Sequence, residues 1–285
     1  MPINFKDVSF TYSYKTPFEN VALNDINATI LDKSFTCIVG KTGCGKSTLI
    51  QQLNGLLLPT KGEVIVDEFV VSSNRKRRTK KLANLRKKVG IVFQFSENQL
   101  FEETVLDDVA FGPTNFKVSK EEARKIAKEC LLKVGIKEEY FDKSPFELSG
   151  GEKRRVAIAG ILALSPSIMV LDEPTAGLDP EGTKEMMELL KKMNESGTTV
   201  LVVTHDMNLV LTYATNVIVM SDSRIVKEAT PDELFLDNDE KYSLETPYIA
   251  KVVQELDKKG IKLDTKVIKD VKSLASEIVR KRKTK

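Results

Sequence analysis

The chain has 285 residues, with 44 Lys+Arg against 41 Asp+Glu, a formal net charge of +3 and three cysteines. That length suits one large or two smaller domains able to bury about 75% of their unfolded surface, and the near balance of charge sets up no global field that demands nucleic acid or an anionic membrane. Cys37, Cys44 and Cys130 form no CxxC pair, which argues against a disulfide framework or a zinc site and suits a reducing cytosol.

No amino-terminal apolar signal is present. The longest apolar stretch, "VAIAGILALSPSIMVLDEP", is broken by Ser165, Pro166 and Ser167 and ends in two carboxylates. It falls short of the roughly 20 apolar residues of a membrane span, so a soluble chain is expected. Short apolar runs alternate with helical patterns, the layout of an α/β fold with buried, largely parallel strands. Four runs matter most: "FTCIV" before Gly40, "VGIVF" before Gln94, "SIMVL" before Asp172 and "TTVLVV" before Thr204. In open α/β sheets ligands bind beyond the carboxyl ends of the strands, and each run stops there at a glycine or a polar residue.

After the first run comes "GKTGCGKST", comprising Gly40, Lys41, Thr42, Gly43, Cys44, Gly45, Lys46, Ser47 and Thr48. From Gly40 to Ser47 it fits the phosphate-binding pattern in the required strand-to-helix setting. Gly43 and Gly45 let backbone N–H groups approach phosphates, the helix amino terminus adds positive potential, and Lys46 supplies a point charge to the β and γ oxygens. Ser47 is expected to ligate magnesium. A structural glycine turn would need neither the lysine nor the hydroxyls. Cys44, inside the loop, reads either as an alkylation target protected by nucleotide or as an inert buried thiol.

The dense basic run "NRKRRTKKLANLRKK" reads as a solvated loop and helix face, with no interleaved aromatics to favour nucleic acid. From about 95 to 165 the pattern is helical, an inserted subdomain that includes "SKEEARKIAKECLLKVG" with Ser119 and Glu122 as a capping box. Within it "LSGGEKRR" opens a helix, and Ser149 with Glu152 forms another box. Bare glycines, Gly150 and Gly151, at a helix amino terminus also make an anion site. One nucleotide already has its cradle at Gly40–Ser47. The economical reading is therefore that this second site covers a nucleotide bound by another subunit.

"IMVLDEP" places two carboxylates at a strand end: Asp172 suits magnesium, usually through water, and Glu173 suits proton abstraction from attacking water. His205 in "LVVTHDM" is the only histidine of the chain. A lone imidazole is more often structural, but this one ends a strand beside the other groups. From Thr230, "TPDELF" offers an N-cap, Pro231 and Glu233, the ordinary start of a helix. Two stripes follow: Ile249, Val252, Val253 and Leu256, then Val267, Ile268, Val271, Leu274, Ala275 and Ile278. Residues 231–285 read as a helical extension packed on its own domain, with a dimer contact as the second reading.

The motifs "GKTGCGKST", Gln94 after "GIVF", "LSGGE", "IMVLDE", "AGLDP" and "THD" occur in the order seen in the ATPase subunits of ABC transporters, which residues 1–230 resemble. The resemblance implies a P-loop ABC-type nucleotide-binding domain, ATP and Mg2+ as cofactors, and two nucleotides sandwiched in a dimer. It implies that Gln94 touches magnesium and senses the membrane partner, that Asp179 couples the two sites, and that His205 steadies the γ-phosphate and attacking water. Tyr12 in "VSFTYSY" stands where an aromatic stacks on adenine, with Tyr14 as its rival. "VFQFSENQLFEETVLDDVAFGP", "TPFENVAL" and the helical tail are similar to the energy-coupling-factor ATPases, and "FEETVLDDVAFGP" with "LSGGEKRR" to their second, A-prime type. These work at the cytoplasmic face of the cell membrane, paired with a second, often different, ATPase. They sit on a transmembrane coupling subunit carrying exchangeable substrate-binding proteins for vitamins or metal ions, and nucleic acid is not expected as a partner. Glu152 stands where the first type usually has glutamine, and an anion beside a partner's γ-phosphate is unfavourable unless it turns back into its cap. The competing readings are another ABC importer with a dedicated permease and a soluble ABC ATPase acting on nucleic acid.

Overall fold

The computed structural model describes residues 2–73, 79–236, 242 and 244–283. Residues 74–78, the start of the basic run, lie outside that description, as does part of the extension.

The four apolar runs become β3 (Phe35–Gly40), β6 (Val89–Val92), β7 (Ile168–Asp172) and β8 (Thr199–Val203). With β9 (Asn216–Ser221) and β10 (Arg224–Ala229) they form a six-stranded sheet in the order β10-β9-β3-β8-β7-β6. Pairing is parallel except for the antiparallel edge strand β10. Every residue of β7 and β8 is buried, as strands covered on both faces must be, and this is why they read as unbroken apolar runs. Successive side chains still divide between two cores. Cys37, Val39, Met169, Leu171, Val200 and Val202 face the helices; Ile38, Ile168, Val170, Leu201 and Val203 face the opposite side.

That opposite side is covered by a feature the apolar patterning did not predict. It is an antiparallel sheet ordered β2-β1-β4-β5, formed by β1 (Ile3–Tyr12), β2 (Asn20–Ile30), β4 (Lys61–Val66) and β5 (Phe69–Ser72). Ile3, Phe5, Val8, Phe10, Val64 and Val66 bury against the central strands, leaving the other face to solvent.

Between β6 and β7 the chain is helical, in α3 (Val105–Asn115), α4 (Lys120–Lys133) and α5 (Gly150–Leu162). At α4 the serine half of the expected box forms, with Ser119 Oγ accepting from the Glu122 N–H at 3.3 Å. The remaining helices are α1 (Lys46–Gln52), α2 (Thr79–Lys88), α6 (Pro180–Glu195), α7 (Met207–Tyr213), α8 (Pro231–Leu236), α9 (Tyr248–Lys258) and α10 (Val271–Lys283). Thr230 and Glu233 do form a reciprocal box at α8, at 2.9 and 3.5 Å. In the extension, Val253, Ile268 and Leu274 make a small core joined by Ile249, Leu256 and Ile278. Val252, Val267 and Val271 of the predicted stripes are exposed instead, and so is Ala275. Periodicity therefore marked only part of each face: Val267 and Ile268 lie in and just after a 3-10 turn before α10, and α9 and α10 cover only part of each other. Among the described residues no helix is long and apolar enough to cross a membrane.

Strand register levels the ends of β3, β7 and β8. Asp172 lies opposite Val203, and Ile38 opposite Val203 from the other side. The Glu173 N–H donates to the Val203 carbonyl at 3.0 Å, and the Thr204 N–H to that of Ile38 at 3.2 Å. The loop after β3, the carboxylates after β7 and the histidine after β8 therefore emerge level at one edge of the sheet.

Candidate active site

The loop after β3 is shaped by its glycines. Gly43 and Gly45 have φ of 84° and 102°, the left-handed region that L side chains avoid. A Cβ on Gly45 would lie 2.3 Å from the Ala22 carbonyl oxygen, and one on Gly40 2.1 Å from that of Met220. Helix α1 begins at Lys46, so its first N–H groups, without intrahelical partners, open onto the loop. The Lys46 ammonium folds over it, donating to the carbonyls of Gly40 at 2.7 Å and Lys41 at 3.0 Å. Cys44 is buried, and burial pushes its thiol up against the opposing charge of Lys46.

The facing wall comes from β7 and β8. Burial raises the Asp172 carboxyl above its ordinary range, opposed by a hydrogen bond from Ser47 and by the charge of Lys46. Glu173 adopts a φ of 49°, a conformation costing on the order of 1–3 kcal/mol for a non-glycine residue. It turns the chain so that Glu173 Oε1 lies 2.9 Å from His205 Nδ1. That hydrogen bond, and then the carboxylate charge, raise the imidazole pKa above 6.5.

Between these walls is a cleft of about 470 Å³. Thr42, Gly43, Gly45, Lys46, Ser47 and Thr48 line it on one side, and Gln94, Asp172, Glu173 and His205 on the other. Tyr12 closes one end, its hydroxyl 3.1 Å from Thr48 Oγ1 and its ring edge-on to Phe10; Tyr14 is not among the lining residues. Asn20, Val21 and Ala22 of β2 complete the cleft. They lie in the segment "TPFENVAL", which the sequence marked as a resemblance without giving these residues a place in the site.

Ser149, Gly151, Glu152 and Asp179 line a different cleft of about 1080 Å³, whose lining shares no residue with the first. The Glu152 carboxylate does turn back, accepting from the Ser149 N–H at 2.9 Å and Oγ–H at 2.7 Å. These two bonds hold it below the ordinary glutamate range. Asp179 caps α6, accepting from the Gly182 N–H at 2.7 Å. Arg154, which lies in "LSGGEKRR" but was given no role there, is buried in the first turns of α5. It donates to the carbonyls of Pro174 at 3.2 Å and Ala176 at 2.5 Å and pairs with Glu97 at 3.3 Å. It thereby ties the segment after Gln94, the start of α5 and the turn after Glu173 to one another.

Residues 23–176 match the ABC transporter family. The energy-coupling factor transporter ATP-binding protein EcfA2 of Streptococcus agalactiae is 53% identical over 92% of this chain and 94% of its own length. The chain belongs to this family of ATP-binding subunits. The Enterococcus faecalis protein of the same name is 53% identical over 93% of this chain and 92% of its own length. Among solved structures, cbiO1 of Clostridium perfringens, part of the ABC transporter complex cbiONQ, superposes with a TM-score of 0.73 at 39% identity, covering 88% of this chain and 98% of that one. The cassette MJ0796, solved as a dimer in a post-hydrolysis state with ADP and Pi, gives 0.72 at 36% identity over 80% and 98%.

Proposed function

We propose that the chain is the A-prime ATPase of an energy-coupling-factor importer, binding ATP in the cleft between β3 and β7 and hydrolysing it to power micronutrient uptake. The observation that carries this reading is the convergence of Lys46, Ser47, Gln94, Asp172, Glu173 and His205, scattered over the sequence, on one cleft.

Each group has a physical task. The loop N–H groups and Lys46 hold the phosphates, with Gly40, Lys41, Thr42, Gly43, Cys44, Gly45 and Thr48 shaping the cradle, and Tyr12 meets the adenine ring. Ser47, Asp172 and Gln94 offer hard oxygen donors that fit Mg2+, and a buried, desolvated carboxylate such as Asp172 gains from a neighbouring cation. Among the described residues no group of three His, Cys, Asp or Glu side chains can hold a metal alone. When bound, Mg2+ supplies charge neutralisation at the β and γ oxygens. Glu173 accepts the proton of attacking water, and His205, aimed by Glu173, donates to the γ-phosphate. The Ser149–Glu152 helix start, with Asp179, caps the nucleotide of a second ATPase subunit, so the working unit is a dimer, here a heterodimer. The pair docks peripherally on a transmembrane coupling subunit at the cytoplasmic face, with exchangeable substrate-binding proteins beside it and no nucleic acid. Residues 1–230 form the ATPase domain and 231–285 an extension.

Glu173→Gln is expected to slow turnover by about 10²- to 10⁴-fold with ATP binding retained. Unchanged turnover in the purified complex would overturn the assignment, and affinity purification from solubilised membranes identifies the partners.

A further inference from the structure

The side chain of His205 is 79% exposed, and its ring is bonded to Glu173 Oε1 at 2.9 Å. Beyond that bond, an imidazole so lightly packed is aimed by the backbone on either side of it. Upstream that backbone is fixed by the sheet: Thr204 is buried and its N–H donates to Ile38. Downstream it enters α7, whose N-cap is Asp206. Asp206 Oδ1 accepts from the N–H groups of Asn208 at 2.8 Å and Leu209 at 3.3 Å, and the Asp206 N–H donates to Thr204 Oγ1 at 3.1 Å.

Asn208 makes a second use of its side chain. Its Nδ2 donates to Asp206 Oδ1 at 3.2 Å, while its Oδ1 accepts from the N–H of Tyr248, the first residue of α9, at 3.0 Å. A carboxylate needs a donor and an N–H needs an acceptor, so the two contacts together select one orientation of the amide. The Tyr248 N–H is a first-turn donor without an intrahelical partner. The N-cap of α9 is Pro247, which makes no side-chain bond, so Asn208 supplies the missing cap from another helix. A parallel tie runs from Thr212 Oγ1 of α7 to the Lys269 carbonyl at 3.2 Å.

We propose that Asn208 is a positioning residue through which the carboxy-terminal helices hold α7, and with it His205, in line with Glu173. The extension is then part of the catalytic alignment as well as a packed appendage. A shift of α9 is felt at the histidine through two hydrogen bonds. The inference rests on the reading of His205 as a γ-phosphate contact.

Tyr248→Pro tests it, with Tyr248→Ala, which keeps the N–H but lacks the exposed ring that Lys251 overlies, as its control. Proline is tolerated at the first helical position and has no N–H to offer Asn208, and Pro247, with ψ of 145°, already has the extended conformation a following proline requires. Asn208→Ala, the second variant, removes both bonds and covers the case in which the proline variant fails to fold. ATPase kinetics are measured on the full transporter complex, and the imidazole NMR resonance of the sole histidine on the full-length chain. Tyr248→Pro and Asn208→Ala are each expected to lower kcat by about three- to tenfold, the worth of one hydrogen bond, with Tyr248→Ala at the parent's rate. KM should be unchanged, the His205 resonance displaced, and the double variant no worse than Asn208→Ala. Folded Tyr248→Pro and Asn208→Ala variants with kcat within about 1.5-fold of the parent overturn the proposal, as does an equal loss in Tyr248→Ala, a loss of kcat with the resonance unmoved or fully additive losses. His205→Ala separates the two levels. If it leaves turnover intact, the reading of His205 fails; if it lowers turnover while Tyr248→Pro does not, only the coupling fails.

Discussion

Arg154→Met removes a charge from the most heavily bonded arginine near the site while keeping most of its length and apolar stem. The side chain is 6% exposed and that of Glu97 21%. Without the guanidinium, the carbonyls of Pro174 and Ala176 lose a charged donor, at about 1–3 kcal/mol each where water cannot replace it. Glu97 loses its partner but recovers some hydration. Against this, the variant no longer has to desolvate a guanidinium, a cost of several kcal/mol for a buried ion. Breaking a buried pair from one side typically costs about 3–5 kcal/mol, and the partial exposure of Glu97 brings the expectation to about 2–4 kcal/mol. In a chain of this size that lowers the melting temperature by about 5–15 °C. Arg155→Met is the contrasting variant: its side chain is 26% exposed and its partner Glu185 52%, so the pair contributes about 0–1 kcal/mol, with one further bond to the Val134 carbonyl at 3.3 Å, and a smaller loss than for Arg154→Met is expected. Thermal melts followed by circular dichroism read both variants. Adding Glu97→Met to Arg154→Met should cost nothing further, since the unpaired carboxylate goes with it. A melt for Arg154→Met within about 1 °C of the parent, or a further loss in the double variant, refutes the account of a buried junction.

The cleft carries two further expectations. Gly45→Ala should abolish ATP binding or destabilise the fold, because its Cβ meets the Ala22 carbonyl at 2.3 Å, whereas Gly43→Ala, with nothing within 4 Å, pays only for its φ of 84°. Equal ATP affinities in isothermal titration would contradict this. His205, the sole histidine, should titrate by NMR with a midpoint above 6.5 and return to about the ordinary value in Glu173→Gln. The sign comes from the raised folded-state value: the contribution to stability is complete below the unfolded midpoint and fades as pH rises through the folded one. The exposure of the ring keeps that contribution small, and a midpoint at or below 6.5 would show that the contact with Glu173 does not form in solution.

What could be read from the residues was what local physics dictates. Parallel strands buried on both faces are mostly apolar, so β3, β7 and β8 announced themselves despite Thr36, Asp172 and Thr199, and a loop with left-handed φ at Gly43 and Gly45 needs glycine there. The antiparallel sheet was harder, because register shifts between Lys6 and Ser9 and between Val8 and Phe10 interrupt the alternation of β1. Glu173 takes a left-handed turn without glycine to mark it. Arg154 and Arg155 are neighbours in "EKRR", and nothing local says that one is buried on Glu97 and the other faces Glu185. Asn208 and Tyr248 meet across 40 positions, and a single polar pair at that separation leaves no periodic trace.

If the helix start at Ser149 caps a partner's nucleotide, as proposed, it selects the phosphate without an attractive field. The residues lining its cleft include Lys133, Arg155, Lys184 and Lys192 but also Glu152, Asp179, Glu181, Glu185 and Glu188, so their formal charges do not sum to a positive patch. Attraction there must come from short-range groups, the first-turn N–H donors of α5 and the Ser149 hydroxyl. Yet that hydroxyl already donates its proton to Glu152 at 2.7 Å. On the proposed reading, a partner's γ-phosphate would claim the same proton only by displacing a carboxylate, and dimer closure at this face would be driven by the surplus of the phosphate contacts over an existing cap. Closure would then be sensitive to the loss of a single phosphate, because the displaced glutamate could retake its bonds once the γ-phosphate is gone.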